Sequence, residues 1–191
     1  MDEPDLSCIQ YHYQTAIYQY HQYQGKTNNC GPTSLAISIN AINHNSTFKG
    51  ENIADELDHW TKHFPRLIIP RIASWATFPW GLVQYLRYQK IPGKWFLGGS
   101  LEKLIENINR EIITMVIIGE PLRSKNWEYE GWSHIKVLYG YSPGHLYFID
   151  PAYKKGAGVK NEISNSGIFK QAEEDFLKKW KNMLKMYIEL G

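Results

Sequence analysis

Cys30 lies in a segment whose residue types are typical of a reactive thiol. The chain reads Asn-Asn-Cys-Gly-Pro-Thr-Ser over residues 28–34, and Pro32 suits the first turn of a helix, where its missing N–H costs nothing. The unpaired N–H groups and partial positive charge of a helix N-terminus favour the thiolate, the nucleophilic form of cysteine. We therefore expect Cys30 to be a nucleophile at a helix start. The alternative is a buried structural cysteine, the commoner role of a free thiol.

A base for this thiol is available in the second half of the chain. His134 opens an apolar stretch that reads as a strand, and Asp150 ends the next one. The Ser-Pro-Gly segment at 142–144 is typical of a tight turn, so the two strands should form a hairpin with His134 and Asp150 side by side. Asp150 is then expected to hold the imidazole in one tautomer. The alternative is an ordinary surface or core histidine.

Gln24 precedes Cys30 by six residues and carries an amide that can donate hydrogen bonds. Acyl transfer through a thiol needs donors for the developing oxyanion, and we expect the Gln24 side chain and the Cys30 backbone N–H to supply them. The alternative is one more glutamine of a glutamine-rich stretch, since Gln19 and Gln22 lie close by.

Four neighbours of these residues are candidates for contact with a substrate, namely Asn29, Gly31, Trp132 and Ser133. Several aromatic residues in loop-like regions are expected to pack internally, with a substrate cleft as the alternative; among them are Trp75, Phe78, Trp80 and Trp95.

No metal and no cofactor is expected. His59 and His63 lie four residues apart, but the segment lacks the glutamate of the metalloprotease motif and is interpreted as an exposed helix.

Together these blocks resemble the C39-like branch of the papain-like cysteine peptidases. The resemblance runs from about residue 24 to residue 151 and rests on Gln24, the Asn-Asn-Cys-Gly-Pro-Thr-Ser block at 28–34, the Ser-His pair at 133–134 with its strand ending Tyr-Gly-Tyr, and Tyr-Phe-Ile-Asp-Pro at 147–151. The matching positions of the family are the oxyanion glutamine, the nucleophile, the base and the residue that orients the base, which fall on Gln24, Cys30, His134 and Asp150.

The resemblance implies a peptidase or amidase that works through a thioester on a peptide or protein substrate. His134 takes the proton of Cys30, the thiolate attacks a carbonyl carbon, and water resolves the thioester. An acyltransferase, in which an amine or alcohol takes the acyl group, uses the same residues and stays open. A non-catalytic peptide-binding module that retains the cleft is the third possibility. The presence of all four residues favours an enzyme.

The family includes domains that cut bacteriocin leaders after a Gly-Gly pair, usually fused to an ABC exporter. This chain has 191 residues and no second hydrophobic block. We therefore expect a free-standing relative, whose substrate stays open.

Helical patterns dominate the first half of the chain and strand patterns the second, which predicts an α+β fold and not an alternating α/β one. The resemblance specifies a papain-like cysteine protease fold, with an N-terminal helical lobe followed by an antiparallel β-sheet lobe. Residues 1–191 are expected to form one domain. After a first helix that begins near Cys30, the expected helices are 51–63, 80–89, 101–110 and 171–182, the expected strands are 112–118, 134–141, 146–149 and 184–190, and 64–80 is an expected loop.

Residues 1–23 are expected to form an N-terminal arm rich in tyrosine and glutamine. Its segment 8–24 contains no Asp, Glu, Lys or Arg. Such bias also occurs in aggregation-prone low-complexity sequence, but tyrosine favours strands. We predict an extended arm that packs against the sheet lobe, and an arm lying across a cleft is a further possibility.

The composition excludes several classes of protein. There are 21 basic and 19 acidic residues, a balance that argues against nucleic acid as the main partner. Two cysteines are too few for a disulfide-rich scaffold or a four-cysteine zinc site, although a Cys8–Cys30 disulfide stays an alternative. The apolar run 112–118 is too short to span a bilayer, which needs about 20 residues, and the acidic start is unlike a signal peptide. A cytoplasmic location without a membrane span is expected, and the oligomeric state stays open.

Overall fold

The computed structural model describes residues 6–63, 69–73, 75–120, 133–155, 162–163 and 166–191. Its helices are α1 (Cys30–Asn43), α2 (Gly50–His63), α3 (Pro79–Tyr88), α4 (Leu101–Asn109) and α5 (Glu173–Asn182), with a short 3-10 helix at Ile17–Tyr20. Its strands are β1 (Tyr11–His12), β2 (Arg71–Ile72), β3 (Ala76–Thr77), β4 (Gly93–Phe96), β5 (Ile113–Gly119), β6 (Ser133–Ser142), β7 (His145–Ile149), β8 (Glu162–Ile163), β9 (Ile168–Ala172) and β10 (Tyr187–Leu190).

The central helix of the helical lobe is α1. Every residue from Gly31 to Ala41 is buried, which suits the small and apolar side chains of this segment. The helix packs against α2 and β6, and the Ser34 hydroxyl donates to the carbonyl oxygen of Ile135 at 2.9 Å. The first turn of α1 is thereby held beside the start of β6.

Among the described residues, eight strands form one antiparallel sheet in the order β4-β10-β5-β6-β7-β9-β8, with β1 also paired to β6. All seven residues of β5 are buried because α1 and α5 contact this strand, which explains its unbroken apolar sequence. His134 on β6 lies opposite Ile118 on β5. The hairpin of β6 and β7 closes where Ser142 pairs with His145, as the Ser-Pro-Gly turn predicted.

The observed elements differ from the predicted ones in several places, and β4 and β8 lie where no strand was predicted. The loop expected over 64–80 contains the β2–β3 hairpin, and α3 already begins at Pro79. No strand was predicted where β9 lies, so the helix expected from residue 171 begins only at Glu173. The last strand does not continue a simple meander, because β10 lies between β4 and β5. Two-residue strands carry no periodic signal, and pairing between distant segments depends on tertiary contacts.

The N-terminal arm is joined to the sheet through β1. Tyr11 pairs with Tyr141 on β6, and their rings stack with centroids 6.4 Å apart. Ile9, Tyr13 and Ile17 of the arm are buried in the hydrophobic core. The predicted packing of the arm against the sheet is confirmed. The boundaries of a single domain over the whole chain stay a prediction.

Candidate active site

Cys30 is the first residue of α1, as the Gly-Pro pair after it predicted. Its side chain is partly buried, and the groups that lower the pKa of its thiol are the side chain of His134 and the backbone N–H groups of Ile135 and Gly31. The sulfur therefore lies among hydrogen-bond donors, an environment that stabilises a thiolate. Both Cys8 and Cys30 are free thiols in the structure, and a regulatory disulfide between them stays an alternative.

The β6–β7 hairpin brings His134 and Asp150 together. His134 Nε2 lies 2.7 Å from Asp150 Oδ1, although the residues are 16 positions apart in the chain. The backbone N–H of Ala152 donates to the same oxygen at 2.9 Å. Because Nε2 faces the carboxylate, Nδ1 is the ring nitrogen that remains for the Cys30 thiol. Gly31, which follows Cys30, lies against Ile135, which follows His134, so the three residues are brought together where α1 and β6 begin.

The charges of Cys30 and His134 stabilise each other. Burial raises the pKa of Cys30, but the hydrogen bond and charge of His134, with the two backbone N–H groups, bring it below its ordinary value of 9.0. Burial also opposes the charge of His134, but the Asp150 carboxylate and then Cys30 raise the pKa of His134 to about 10. Each group thus favours the charged form of the other.

Asp150 keeps its negative charge in this buried setting. Burial raises the pKa of Asp150, but the charge and hydrogen bond of His134, with smaller contributions from Lys136 and the Ala152 N–H, lower it to about 2. An ionised carboxylate at this position is the group that holds a histidine in one orientation.

The N-terminal arm contacts two successive carbonyl groups, those of Asp150 and Pro151. His21 Nε2 donates to the carbonyl oxygen of Asp150 at 3.1 Å, and the Gln24 backbone N–H donates to the carbonyl oxygen of Pro151 at 2.9 Å. Burial lowers the pKa of His21, so its ring is a neutral donor. Sequence reasoning missed His21, because one histidine among tyrosines and glutamines gives no signal.

Gln24 lies next to the segment that carries Asp150, and its side chain is engaged locally. Its Nε2 donates to the Thr27 carbonyl oxygen at 2.8 Å, and the Thr27 hydroxyl donates to the Gln24 carbonyl oxygen at 2.6 Å. Gln24 Oε1 is buried and has no hydrogen-bond partner among the described residues. The amide nitrogen carries a second hydrogen that the Thr27 contact does not use. The oxyanion role of Gln24 stays a prediction.

The candidate substrate contacts occupy different environments. Asn29 directly precedes α1, and Gly31 is buried in the first turn of the helix. Ser133 is partly exposed at the start of β6, whereas Trp132 lies outside the described residues. Contact of these residues with a substrate stays a prediction.

Sequence reasoning missed Arg71, which lies beside the site within the segment expected to be loop. Arg71 is 1% exposed, and its guanidinium donates to Asp58, Thr77 and Asn29. A basic residue in a proline-rich segment gives no signal of such burial, because its partners come from distant parts of the chain.

Lys136 was also missed, although it follows His134 by two positions and so shares its face of β6. It is 5% exposed; its ammonium donates to Gln171 Oε1 and lies 3.9 Å from the ring centroid of Phe148. Burial lowers the pKa of Lys136 to about 8, against the attraction of Asp150. One lysine within an otherwise apolar strand is the sequence signal that points to it.

Three aromatic rings pack together where α3 begins and on β4. The rings of Phe78 and Trp80 stack with centroids 4.6 Å apart, and Trp80 meets Trp95 at 6.1 Å. Thr77 precedes Phe78, and a Cβ placed on Gly31 lies 3.2 Å from the Thr77 Cβ, so the chain reaches these rings from beside the first turn of α1. Phe78 and Trp80 are partly exposed and Trp95 is exposed, and contact of these rings with a substrate stays a prediction.

Within the described ranges, no group of three or more His, Cys, Asp or Glu side chains is arranged to hold a metal ion. No helix in that part of the chain is long and apolar enough to cross a membrane. The absence of a metal, the absence of a cofactor and the cytoplasmic location all stay predictions.

Comparison with protein families identifies the class. The model of the Peptidase_C39-like family matches residues 10–188, and the chain belongs to this family. The predicted resemblance to the C39-like branch of the papain-like cysteine peptidases is thereby confirmed. No curated protein sequence matches the chain.

Solved structures of C39 peptidases share the fold. A protein described as a C39-like peptidase from Bacillus anthracis superposes with a TM-score of 0.65 at 18% identity, covering 95% of this chain and 98% of that one. The peptidase domain of Streptococcus ComA, a bi-functional ABC transporter involved in a quorum-sensing pathway, gives a TM-score of 0.59 at 16% identity, covering 90% of this chain and 98% of the domain. The predicted papain-like α+β fold is confirmed.

Proposed function

We propose that the protein is a cysteine peptidase or amidase in which Cys30, His134 and Asp150 form a catalytic triad. The observation that carries this proposal is the 2.7 Å pair of His134 and Asp150 beside a helix that begins with Cys30. The lowered pKa of Cys30 and the raised pKa of His134 support a thiolate that is ready to attack. Membership of a peptidase family supports peptide bonds as the target.

The reaction then proceeds in two stages. The Cys30 thiolate attacks the carbonyl carbon, and the oxyanion accepts hydrogen bonds from Gln24 and from backbone N–H groups at the start of α1. The His134 imidazolium gives its proton to the leaving amine as the thioester forms. Water then attacks the thioester, His134 takes a proton from it, and the carboxylic acid is released. Asp150 stays ionised and keeps the ring oriented throughout.

A peptide with apolar side chains is the substrate class that this surface supports. The stacked rings of Phe78 and Trp80, and the adjacent Trp95, are at least partly exposed, and Thr77, which precedes Phe78, lies against the first turn of α1. Aromatic rings of this kind bury apolar side chains of a bound peptide at low entropic cost. We infer that the part of the substrate next to the cleaved bond runs over these rings.

Digestion of a mixed peptide library by the full chain, read by mass spectrometry, tests the proposal. The wild type and the matched control Cys8→Ser are expected to cleave, whereas Cys30→Ser and His134→Ala are expected to lose cleavage. Cleavage that survives Cys30→Ser contradicts the proposal. An enzyme that transfers acyl groups to added hydroxylamine but hydrolyses no peptide when hydroxylamine is absent is an acyltransferase. That result also contradicts the proposal.

A further inference from the structure

Arg71 is a buried cation that joins three parts of the helical lobe. Its side chain is 2% exposed, and its Nε lies 2.9 Å from Asp58 Oδ1 on α2. The guanidinium also donates to the hydroxyl of Thr77 on β3 and, at 2.7 Å, to Asn29 Oδ1. The Thr61 hydroxyl on α2 donates to the Arg71 carbonyl oxygen at 3.0 Å. Both the backbone and the side chain of Arg71 are therefore fixed in place.

Asn29 occupies the N-cap position of α1 but does not cap the helix. An asparagine there ordinarily accepts a hydrogen bond from the N–H of the second or third helical residue. The third is Pro32, which has no N–H, so Gly31 holds the one N–H available to a capping Asn29. The Asn29 side chain makes no such bond to the residues of α1, all of which are described. The Gly31 N–H is therefore not capped by Asn29 and lies in the first turn of α1, next to Cys30, where helix N–H groups favour a thiolate.

We propose that Arg71 is a positioning residue for the reactive thiol and that it acts through Asn29. It holds the Asn29 amide away from α1, so that the Gly31 N–H stays available. That N–H then donates to the Cys30 thiolate, or to the oxyanion that forms beside it. This role rests on the proposed function, since only an attacking Cys30 needs the donor.

The positive charge of Arg71 is not what acts on the thiol. Asp58 pairs with the guanidinium at 2.9 Å and offsets its charge. The charged groups that face Cys30 belong to β6 and the end of β7, since the thiol contacts His134 and His134 contacts Asp150. A change at Arg71 is therefore expected to reach the thiol by releasing the Asn29 side chain.

The substitution Arg71→Lys tests this role with the charge retained. The lysine ammonium can pair with Asp58, but it cannot reproduce the planar guanidinium group of Arg71, which also donates to Asn29. The measurement is the pH midpoint of Cys30 alkylation by iodoacetamide in the full chain, followed by mass spectrometry with the exposed Cys8 as internal reference. We expect the midpoint to rise by about one pH unit, because a capped Gly31 no longer donates to the thiolate.

A second substitution distinguishes positioning from a general role in folding. Asn29→Ala removes the side chain that Arg71 restrains, so Arg71→Lys/Asn29→Ala is expected to return to the wild-type midpoint. A double variant that keeps the Arg71→Lys midpoint overturns the proposal, and so does an Arg71→Lys midpoint equal to that of the wild type. If circular dichroism shows Arg71→Lys to be unfolded, Arg71→Met/Asp58→Asn replaces it, because this variant removes both charges together. A raised midpoint in that variant then supports the proposal, and a wild-type midpoint overturns it.

The same measurement separates this proposal from the proposed function. A wild-type Cys30 that alkylates no earlier than Cys8 contradicts the function, and the positioning role fails with it because there is no activated thiol to position. An early-reacting wild-type Cys30, combined with an unchanged midpoint in the Arg71 variants, contradicts the role of Arg71 alone.

Discussion

His134 Nε2 and Asp150 Oδ1 lie 2.7 Å apart because His134 lies at the start of β6 and Asp150 directly follows β7, its partner in the hairpin. Val137 on β6 pairs with Ile149 on β7, so Asp150 comes level with the first residues of β6. A histidine that serves a nucleophile must be held in one tautomer and one orientation. The hairpin supplies this constraint through backbone pairing, and the Ala152 N–H in the turn after β7 also holds Asp150 Oδ1 at 2.9 Å.

Asp150→Ala is expected to lower kcat for peptide cleavage by roughly 10³–10⁴-fold, comparable to loss of the aspartate from a serine-protease triad. The pKa of His134 falls at the same time, because Asp150 is the main group that raises it. Asp150→Asn is expected to keep more activity than Asp150→Ala, since the amide oxygen can still accept from Nε2 as in Cys-His-Asn sites.

Steady-state kinetics of the two Asp150 variants check this order, with His134 titrated by NMR. Asp175→Ala is the matched control, because Asp175 is exposed on α5. An Asp150→Ala enzyme with wild-type kcat rules out the orienting role.

Gln24→Ala is expected to lower kcat by about 10²–10³-fold, the usual effect of removing one oxyanion donor. The pH midpoint of Cys30 alkylation is expected to stay unchanged, because the side-chain contact of Gln24 runs to Thr27 and not to the sulfur. Gln19→Ala is the control, since Gln19 is an exposed glutamine of the same arm. A full kcat in Gln24→Ala, or a shifted midpoint, argues against the oxyanion assignment.

Gly140→Ala is expected to displace the arm from the sheet. A Cβ at this position lies 2.7 Å from the Tyr11 carbonyl oxygen and 2.7 Å from Ile9 Cγ2, so the backbone of β1 must move. We expect faster hydrogen exchange in the arm and a free energy of unfolding lower by roughly 1–3 kcal/mol. Exchange and denaturant unfolding like those of the wild type mean that β1 does not hold the arm in solution.

Cys30, His134 and Asp150 could be proposed from the sequence because each lies next to a local helix or turn signal. Cys30 precedes a Gly-Pro helix start, and His134 and Asp150 lie symmetrically about the turn at 142–144. Arg71 has no such local signal, and the signal for Lys136 is only its place among the apolar residues of β6. Their burial depends on partners that folding brings in from elsewhere, such as Asp58 for Arg71 and Gln171 for Lys136.

The elements of the fold also differ in whether the local sequence predicts them. The first helix, the capped helix α4 and the β5–β7 strands have strong periodic or turn signals, and Ser100 caps α4 by accepting from the Lys103 N–H at 3.2 Å. The position of β10 between β4 and β5 has no counterpart in the local sequence. Because β6 pairs with one edge of β5, the other edge is open to β10. Local sequence patterns do not specify which strand pairs with that open edge.

Alkylation of Cys30 against pH, in the wild type and in His134→Ala, tests the thiolate–imidazolium pair most directly. The pKa of Cys30 is lowered from 9.0, so alkylation is expected to persist to a lower pH and to stop only as the pH falls through that pKa and the thiolate is protonated. In His134→Ala the burial that raises the pKa remains while the hydrogen bond and charge that lower it are lost, so the midpoint is expected to rise.

His145→Ala is the matched control, since His145 begins β7 at the far end of the same hairpin, and Cys8 is the internal reference. A Cys30 that reacts well below the pH at which Cys8 reacts, and that loses this advantage only in His134→Ala, is the result we predict. A Cys30 that reacts no earlier than Cys8, or that keeps its midpoint without His134, contradicts the account.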